Sequence, residues 1–488
     1  MSKIYEVVRE LAGVKGINAK KAVLSGLQGD DLLNVQNYIR FAMDPRLSLY
    51  QTLSDDVRVK MNGMQLAGTP KRGILEALEY VSGMATLGET RGDAGKVLLS
   101  RVRSRLPSDE ERELFDLFID RNIKVGLGVK SINAVWADHL AYSPYNRCKT
   151  ANAKLWEKYD WNAGVYSQLK SDGMFLNVRH EIVDGCLPEV EFTSREGNVL
   201  DSHSLRGLKE DVFDLMDNLE IERAFYLHGE ALVFDPDGNL LPREQGNGKL
   251  NRIIQTGEEL DEGYVVKFHV WDIIDGDDFK AAQNKKNAQG LPYAQRFGAL
   301  EQLMKEAGDL EHITIQESKI VYSIEEAMAH FQEMMERGEE GTVIKCPKGL
   351  WFDGDSESML KLKLECEFDM VVVALNEGDA NGKHADTFGS LQVESSCGLV
   401  AAGCSGISDA LRAEIYANFP LWKGSIVTIR CNGIQENSFE GEKGEVKSVF
   451  LPRLVSERRI DKFTADSLED MRKIQADTIK NGGKPIKR

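Results

Sequence analysis

The chain has 488 residues, with 42% hydrophobic and 28% charged residues, 44 Gly and only 12 Pro, which excludes a collagen-like, Pro-rich or disordered chain and is a prior for about three domains. Lys and Arg number 61 against 78 Asp and Glu, a net charge of −17 that taken whole speaks against a polyphosphate partner. Residues 1–150 nevertheless carry +4 and the remainder −21, so the acidity is confined to the last two-thirds. Seven dispersed cysteines (148, 186, 346, 366, 397, 404 and 431) form no CxxC pair. They read as reduced thiols and leave no zinc ribbon. Met-Ser-Lys-Ile-Tyr at the start is no signal peptide, and no apolar run reaches membrane-spanning length. The expectation is a cytoplasmic protein without a membrane partner.

Helical periodicity opens the chain. Ile4, Val7, Val8 and Leu11 put apolar groups on one helix face, and Ile74, Leu78 and Val81 do so again. Ser108 with Glu111 reads as a capping box ahead of Leu114, Phe115, Leu117 and Phe118. Arg101, Arg103 and Arg105 stand just before it, as phosphate grips or as solvated charges. Residues 1–130 are predicted to form an α-helical domain. From about 160 the period becomes two. Val265–Ile274 and Gly341–Lys345 read as strands, with Asp-Gly turns at 184, 237 and 275 and a helix over Ile324–Met335. Residues 131–367 are thus a mixed α+β domain. Strands at Met370–Leu375, Leu391–Glu394, Ile426–Cys431 and Val446–Leu451 predict a small β-barrel over 368–488. A polar helix from Thr464 and a basic end, Lys484 to Arg488, form its tail.

The residues that carry chemistry come in order. Lys170-Ser171-Asp172-Gly173 is the only Asp-Gly pair with Lys two residues upstream. Arg195 sits in Ser-Arg-Glu-Gly-Asn, Glu230 closes His-Gly-Glu, and Trp271 lies in Val-Trp-Asp. Glu340 and Lys345 frame Glu-Gly-Thr-Val-Ile-Lys. Lys361 and Lys363, two apart on a strand, share one face and want an anion between them. Arg459-Ile460-Asp461-Lys462 ends the series. A lysine nucleophile for phosphorus, cations for the transferring phosphoryl group, carboxylates for a hard metal and an aromatic for a base are the needs of nucleotidyl transfer. Taken singly, Trp271 also reads as core and Lys345 as a strand-end lysine.

This ordered set resembles the lysine-dependent nucleotidyltransferases, and most of all the ATP-dependent DNA ligases of the bacteriophage type. The resemblance extends to Gln168-Leu169 before the lysine, Val129–Val135, and Gly349-Leu350-Trp351. It implies a multidomain α+β fold: a helical DNA-binding domain, a mixed, ATP-grasp-like nucleotidyltransferase domain and a C-terminal OB-fold barrel. It implies nick sealing in duplex DNA through lysyl-AMP, with ATP as substrate and Mg²⁺ (or Mn²⁺) as metal. The protein would be a monomer encircling nicked DNA, in the host cytoplasm if of phage origin; no clamp-binding motif is evident. By resemblance Lys170 is the nucleophile and Gln168 lies at the adenine edge. Arg195 contacts the nucleotide, Glu230 the ribose or metal, and Trp271 stacks on adenine. Glu340 is the main metal carboxylate, and Lys345, Lys361 and Lys363 surround the phosphate. Arg459 and Lys462 orient pyrophosphate, with Arg458 the alternative to Arg459. Phe175 stands where the family has Arg, with Arg179 a possible substitute, and His228 stands where it has Asp. An RNA ligase, a capping enzyme or a non-catalytic nick binder are the alternatives.

Overall fold

The computed structural model describes the whole chain except residues 1–2, 52–72, 182–188, 201–202, 204, 218–223, 283–289, 379–383, 385, 436–445, 456–457, 482 and 486–488. The turn at Asp184, Cys186 and the last three residues of the basic end therefore lie outside the described residues. Two compact units emerge. One comprises residues 1–147, 172–316 and 350–354; the other comprises 148–171, 317–349 and 355–488. The boundary at Ser171/Asp172 runs through the Lys-Ser-Asp-Gly motif.

The first unit begins with helices. Lys3–Gly13 buries Ile4, Val7, Val8 and Leu11, and Ile74–Thr86 buries Ile74, Leu78 and Val81, as their spacing predicts. With Tyr38, Ile39, Leu99, Phe115 and Phe118 they form one core reaching Leu140. Each such side chain contributes about 1.5–3 kcal/mol on burial. Ser108 caps Asp109–Ile119 by accepting the Glu111 amide at 3.2 Å. The reciprocal half of the box is not made; the Glu111 carboxylate takes the Ile74 amide instead. The same unit holds a five-stranded sheet in the order Glu189–Thr193, Met174–Glu181, Phe225–Phe234, Val265–Asp275, Ile313–Ile315. Neighbouring strands pair antiparallel except the last two, which are parallel. Asp237-Gly238 is a turn as expected, Gly238 having φ +82°. At Asp275-Gly276 the strand runs directly into the helix Gly276–Ala282, where Asp275 Oδ1 accepts the Asp277 amide. Asp before a helix caps as readily as it turns.

The second unit holds two five-stranded sheets. One orders Asn146–Thr150, Gly354–Lys363, Gly341–Lys345, Val165–Leu169, Ser318–Val321. The helix Ile324–Glu336 packs Ala327 and Phe331 with Val165, Ile344, Leu360 and Leu362 beneath it. The other orders Ala401–Cys404, Ser390–Glu394, Cys366–Asn376, Ile426–Cys431, Arg453–Leu454. This ladder is open among the described residues, although one parallel bridge joins Ser405 to Arg453 at its two edges. Of the strand expected over Val446–Leu451, only Ser448–Val449 forms. The tail helix is Leu468–Lys480, capped reciprocally by Ser467 and Asp470; it buries Met471 in this sheet's core. Of the described cysteines, Cys366, Cys404 and Cys431 are buried and Cys397 is exposed.

Candidate active site

The first sheet of the second unit separates chemistry from packing by strand alternation. Gln168 pairs with Val343, which pairs with Lys361; Lys345 pairs with both Tyr166 and Met359, and Gly341 with Lys363. Residues paired across antiparallel strands share a face, as do residues two apart along one. Gln168, Lys345, Lys361 and Lys363 therefore lie on one face, and Val165, Ile344, Leu360 and Leu362 on the other, in the core. Lys170 follows Val165–Leu169 directly. Its amide donates to Gly341 O at 2.9 Å and its Nζ donates to Glu340 Oε2. Gly341 is required there: a Cβ would stand 2.2 Å from Leu362 O, and φ is +143°.

On the two strands that flank Lys170 and Glu340, two buried side chains each keep a polar atom without a partner. Gln168 is 1% exposed, and its Nε2 donates to Ser318 Oγ at 2.8 Å while Oε1 has no partner. The Thr342 hydroxyl is likewise orphaned. Such groups cost about 1–3 kcal/mol each; Gln168 lies on the lysine-bearing face and Thr342 on the packed one. Lys345 is 3% exposed. Lys363 is half-buried; burial and then the charges of Lys361 and Arg453 lower its pKa, against the opposing pull of Glu365 and Glu340.

The first unit carries the other predicted residues. Gly173 lies so close to the neighbouring strand that a Cβ would meet Ala231 O at 2.4 Å, and its amide donates to Glu230 Oε1 at 3.3 Å. Asp172 pairs with Arg243 at 2.8 Å. Phe175, Glu230 and His269 form one cross-strand row. Burial, then the Lys267 charge, holds His269 down at about 4, so it is neutral beside Glu230 at neutral pH. The register shifts at His228/Gly229, and Trp271 falls in that bulge, its ring 6.0 Å from Phe175. Phe175 also meets Tyr145 at 4.9 Å and His228 at 5.6 Å. His228 is buried against Trp351 at 5.5 Å. Aromatic packing thus accounts for both departures at Phe175 and His228. Arg179 does not stand free to replace an arginine at 175: it pairs with Glu181 at 2.7 Å and Glu191 at 3.5 Å. Arg195 is exposed on a tight turn, Gly197 having φ +86°, and its guanidinium lies 4.6 Å over the Tyr145 ring.

Arg459 and Lys462 are placed apart from the Lys170 cluster. Both bind the buried Asp369 carboxylate, Arg459 at 3.4 Å, and Arg459 grips Asp461 with two bonds of 2.7 and 2.6 Å. Burial pushes Asp369 up, but hydrogen bonds from Lys462 and Thr428 and the adjacent cations outweigh it and hold it below its ordinary value. Arg458 instead lies over Trp422 at 5.5 Å. Of the three arginines before the Ser108 cap, Arg103 is bound to Asp116 by bonds of 2.7 and 2.8 Å. Among the described residues no three His, Cys, Asp or Glu side chains gather as a metal cluster; Glu230 belongs to the first unit and Glu340 to the second. No described helix is long and apolar enough to cross a membrane. Ser318 and Tyr145 escaped the sequence reading. Ser318 is 150 residues from Gln168 and carries no motif.

Residues 147–363 match the family model of the ATP-dependent DNA ligase domain. The DNA ligases of Enterobacteria phages T4 and T6 are each 23% identical to this chain, over 96% of its length and 98% of theirs. A solved structure described as Pmar-Lig_Pre shares the fold, with a TM-score of 0.68 at 18% identity, covering 95% of this chain and 100% of that one. Residues 147–363, which span the lysine, the glutamates and the paired lysines, are thus similar to the ATP-dependent DNA ligase domain, and the chain is similar from end to end to two phage DNA ligases.

Proposed function

We propose that this chain is an ATP-dependent DNA ligase that seals 3′-hydroxyl/5′-phosphate nicks in duplex DNA with Lys170 as its nucleophile. The observation that carries the assignment is the placement of Lys170 at the end of its strand, tied to Gly341 and Glu340, beside a sheet face bearing Gln168, Lys345, Lys361 and Lys363. In the first step the neutral Lys170 amine attacks the α-phosphorus of ATP. A P–N bond forms and pyrophosphate leaves. AMP then passes to the nick 5′-phosphate, forming an anhydride and freeing Lys170. The 3′-hydroxyl attacks that activated phosphate, the phosphodiester forms and AMP departs.

The chain's own groups fit these steps. Lys361 and Lys363 meet the charge that develops on the transferring phosphoryl oxygens. Gln168 offers an acceptor to the adenine amino group, and Trp271 a face to the ring. Arg195 takes the nucleotide and then the nick phosphate; Arg459 and Lys462 would serve pyrophosphate only after leaving Asp369. Glu340 and Glu230 are hard oxygen donors of the kind Mg²⁺ takes, and Mg²⁺ when bound would neutralise phosphate charge. The domain reading is 1–130 for DNA binding, 131–367 for nucleotidyl transfer and 368–488 for an OB-type barrel. The edge-to-edge bridge at Ser405 supports the last of these. We read the active species as a monomer on nicked duplex.

The test is intact mass after incubation with Mg²⁺ and each nucleoside triphosphate. One AMP added, and lost in Lys170→Ala, supports the proposal. GMP in its place points to a capping enzyme, and no adduct with any nucleotide overturns the assignment of Lys170. Sealing of an all-RNA nick as well as a DNA nick would overturn the choice of substrate.

A further inference from the structure

The first unit carries a basic trough in which Arg195 is joined by two cations, Lys130 and Arg147, that have no part in the adenylylation proposed above. The trough, of about 410 Å³, is lined by Lys130, Ser131, Tyr145, Arg147, Arg195 and Glu196, among others. Through Lys130 and Tyr142 it shares a wall with a cavity of about 710 Å³ that adds Arg46 and Asp353. The trough is built around one buried carboxylate. Asp353, 2% exposed, accepts from Lys130 Nζ at 2.7 Å and from the Tyr145 amide at 3.4 Å, and stands 4.0 Å from Arg147. Lys130 also lies 4.8 Å over the Tyr142 ring, as Arg195 lies over Tyr145. Aromatic faces hold cations in place without cancelling their charge. The Lys130 and Arg147 side chains remain 52% and 35% exposed. Ser143 closes the wall against the Arg195 turn: a Cβ on Gly197 would stand 3.2 Å from the Ser143 Cβ.

We propose that this trough binds the phosphodiester backbone of a nucleic-acid strand, with Lys130 and Arg147 as phosphate ligands beside Arg195 and Asp353 as the positioning residue that fixes them. The proposal rests on the ligase reading and extends it from Arg195 to two further phosphate ligands, Lys130 and Arg147. Several cations spread along an open trough suit a repeating anion rather than one nucleotide. Hydroxyls at Ser131 and Tyr145 are the usual companions of such backbone contacts. Glu196 and Asp353 are the carboxylates that face it; Asp353 is already committed to its donors.

The test uses the full chain and a labelled nicked duplex, titrated by anisotropy at several salt concentrations, with lysyl-AMP formation measured in parallel. The double variant Lys130→Ala/Arg147→Ala should weaken nicked-DNA binding about tenfold and flatten the log–log salt slope by about 2, near 0.9 per lost phosphate contact. It should form lysyl-AMP as the wild type does. Asp353→Asn should raise KM for nicked DNA at unchanged kcat, which a general loss of folding would not do. Unchanged affinity and slope in the double variant overturn the trough. So does loss of inorganic pyrophosphate binding without loss of DNA binding, which would assign the cations to a free polyphosphate. A wild type that forms no lysyl-AMP would instead defeat the ligase reading, and the two failures are separable.

Discussion

Lys170 is held twice, through its backbone by Gly341 and through its side chain by Glu340, so its Nζ has little freedom to wander. Removing that grip is expected to cost rate rather than stability. Glu340→Gln should slow lysyl-AMP formation by about 10²–10³, the usual price of losing one preorganised electrostatic partner, with the melting temperature unmoved. Gly173→Ala should do the reverse. Its Cβ meets Ala231 O at 2.4 Å, so we expect a loss of about 1–3 kcal/mol in urea denaturation, as overpacking generally gives. Gln168 supplies a third prediction. Oε1 is the unpartnered acceptor, so Gln168→Glu should keep the preference for ATP over GTP in adduct formation, and Gln168→Leu should erode it. At this scale the placement was legible: Lys361 and Lys363 share a face as residues two apart on a strand should, and Lys345 joins them across the pairing. What sequence hides is the partner. Nothing in Ser318 or Asp353 marks it as the group that orients Gln168 or fixes Lys130, because those pairings span 150 and 223 residues.

Elements inherit their character from period and caps, and most were readable on that basis. The amphipathic spacing of Lys3–Gly13 and the alternation of Val265–Asp275 both survive in the fold. The failures have local causes. Asp275-Gly276 satisfies a helix start as well as a turn, and the Glu111 carboxylate found the Ile74 amide across the core instead of its own cap. Arg179 could be placed on the Phe175 face from spacing alone, yet only pairing with the next strand reveals Glu191 beside it. The Arg459–Lys462 segment yields a pH prediction. Asp369 titrates below its ordinary value in the folded chain, so its contribution is present above the unfolded pKa and is lost as pH falls through the folded one. Amide exchange at Asp466, whose N–H donates to Asp369 O at 2.8 Å, should accelerate below about pH 4. Asp369→Asn should show fast exchange already at neutral pH.

For the molecule as a whole, net charge and its distribution point in different directions. On the proposed function, a chain at −17 meets a polyanion through a few placed cations, so affinity for nicked duplex should be modest and fall steeply with salt. The basic first 150 residues include Lys130 and Arg147 of the trough. Domain boundaries were harder to read, because the chain crosses between its two compact units at 147, 171, 316, 349 and 354. No composition shift marks a crossing that falls inside a four-residue motif.

The two-faced strand Val165–Leu169 also constrains how this chain can change length. Its side chains alternate between the lysine-bearing face and the packed interior, so deleting Leu169 would shift everything after Gln168 by one place and carry Lys170 to the apolar side. Insertions in the stretch between Glu181 and Glu189, by contrast, leave that phase untouched. Among descendants of this gene, single-residue gaps should be absent from 165–170 and from 341–345, and should accumulate in the connections, whatever happens to the identities of the residues themselves.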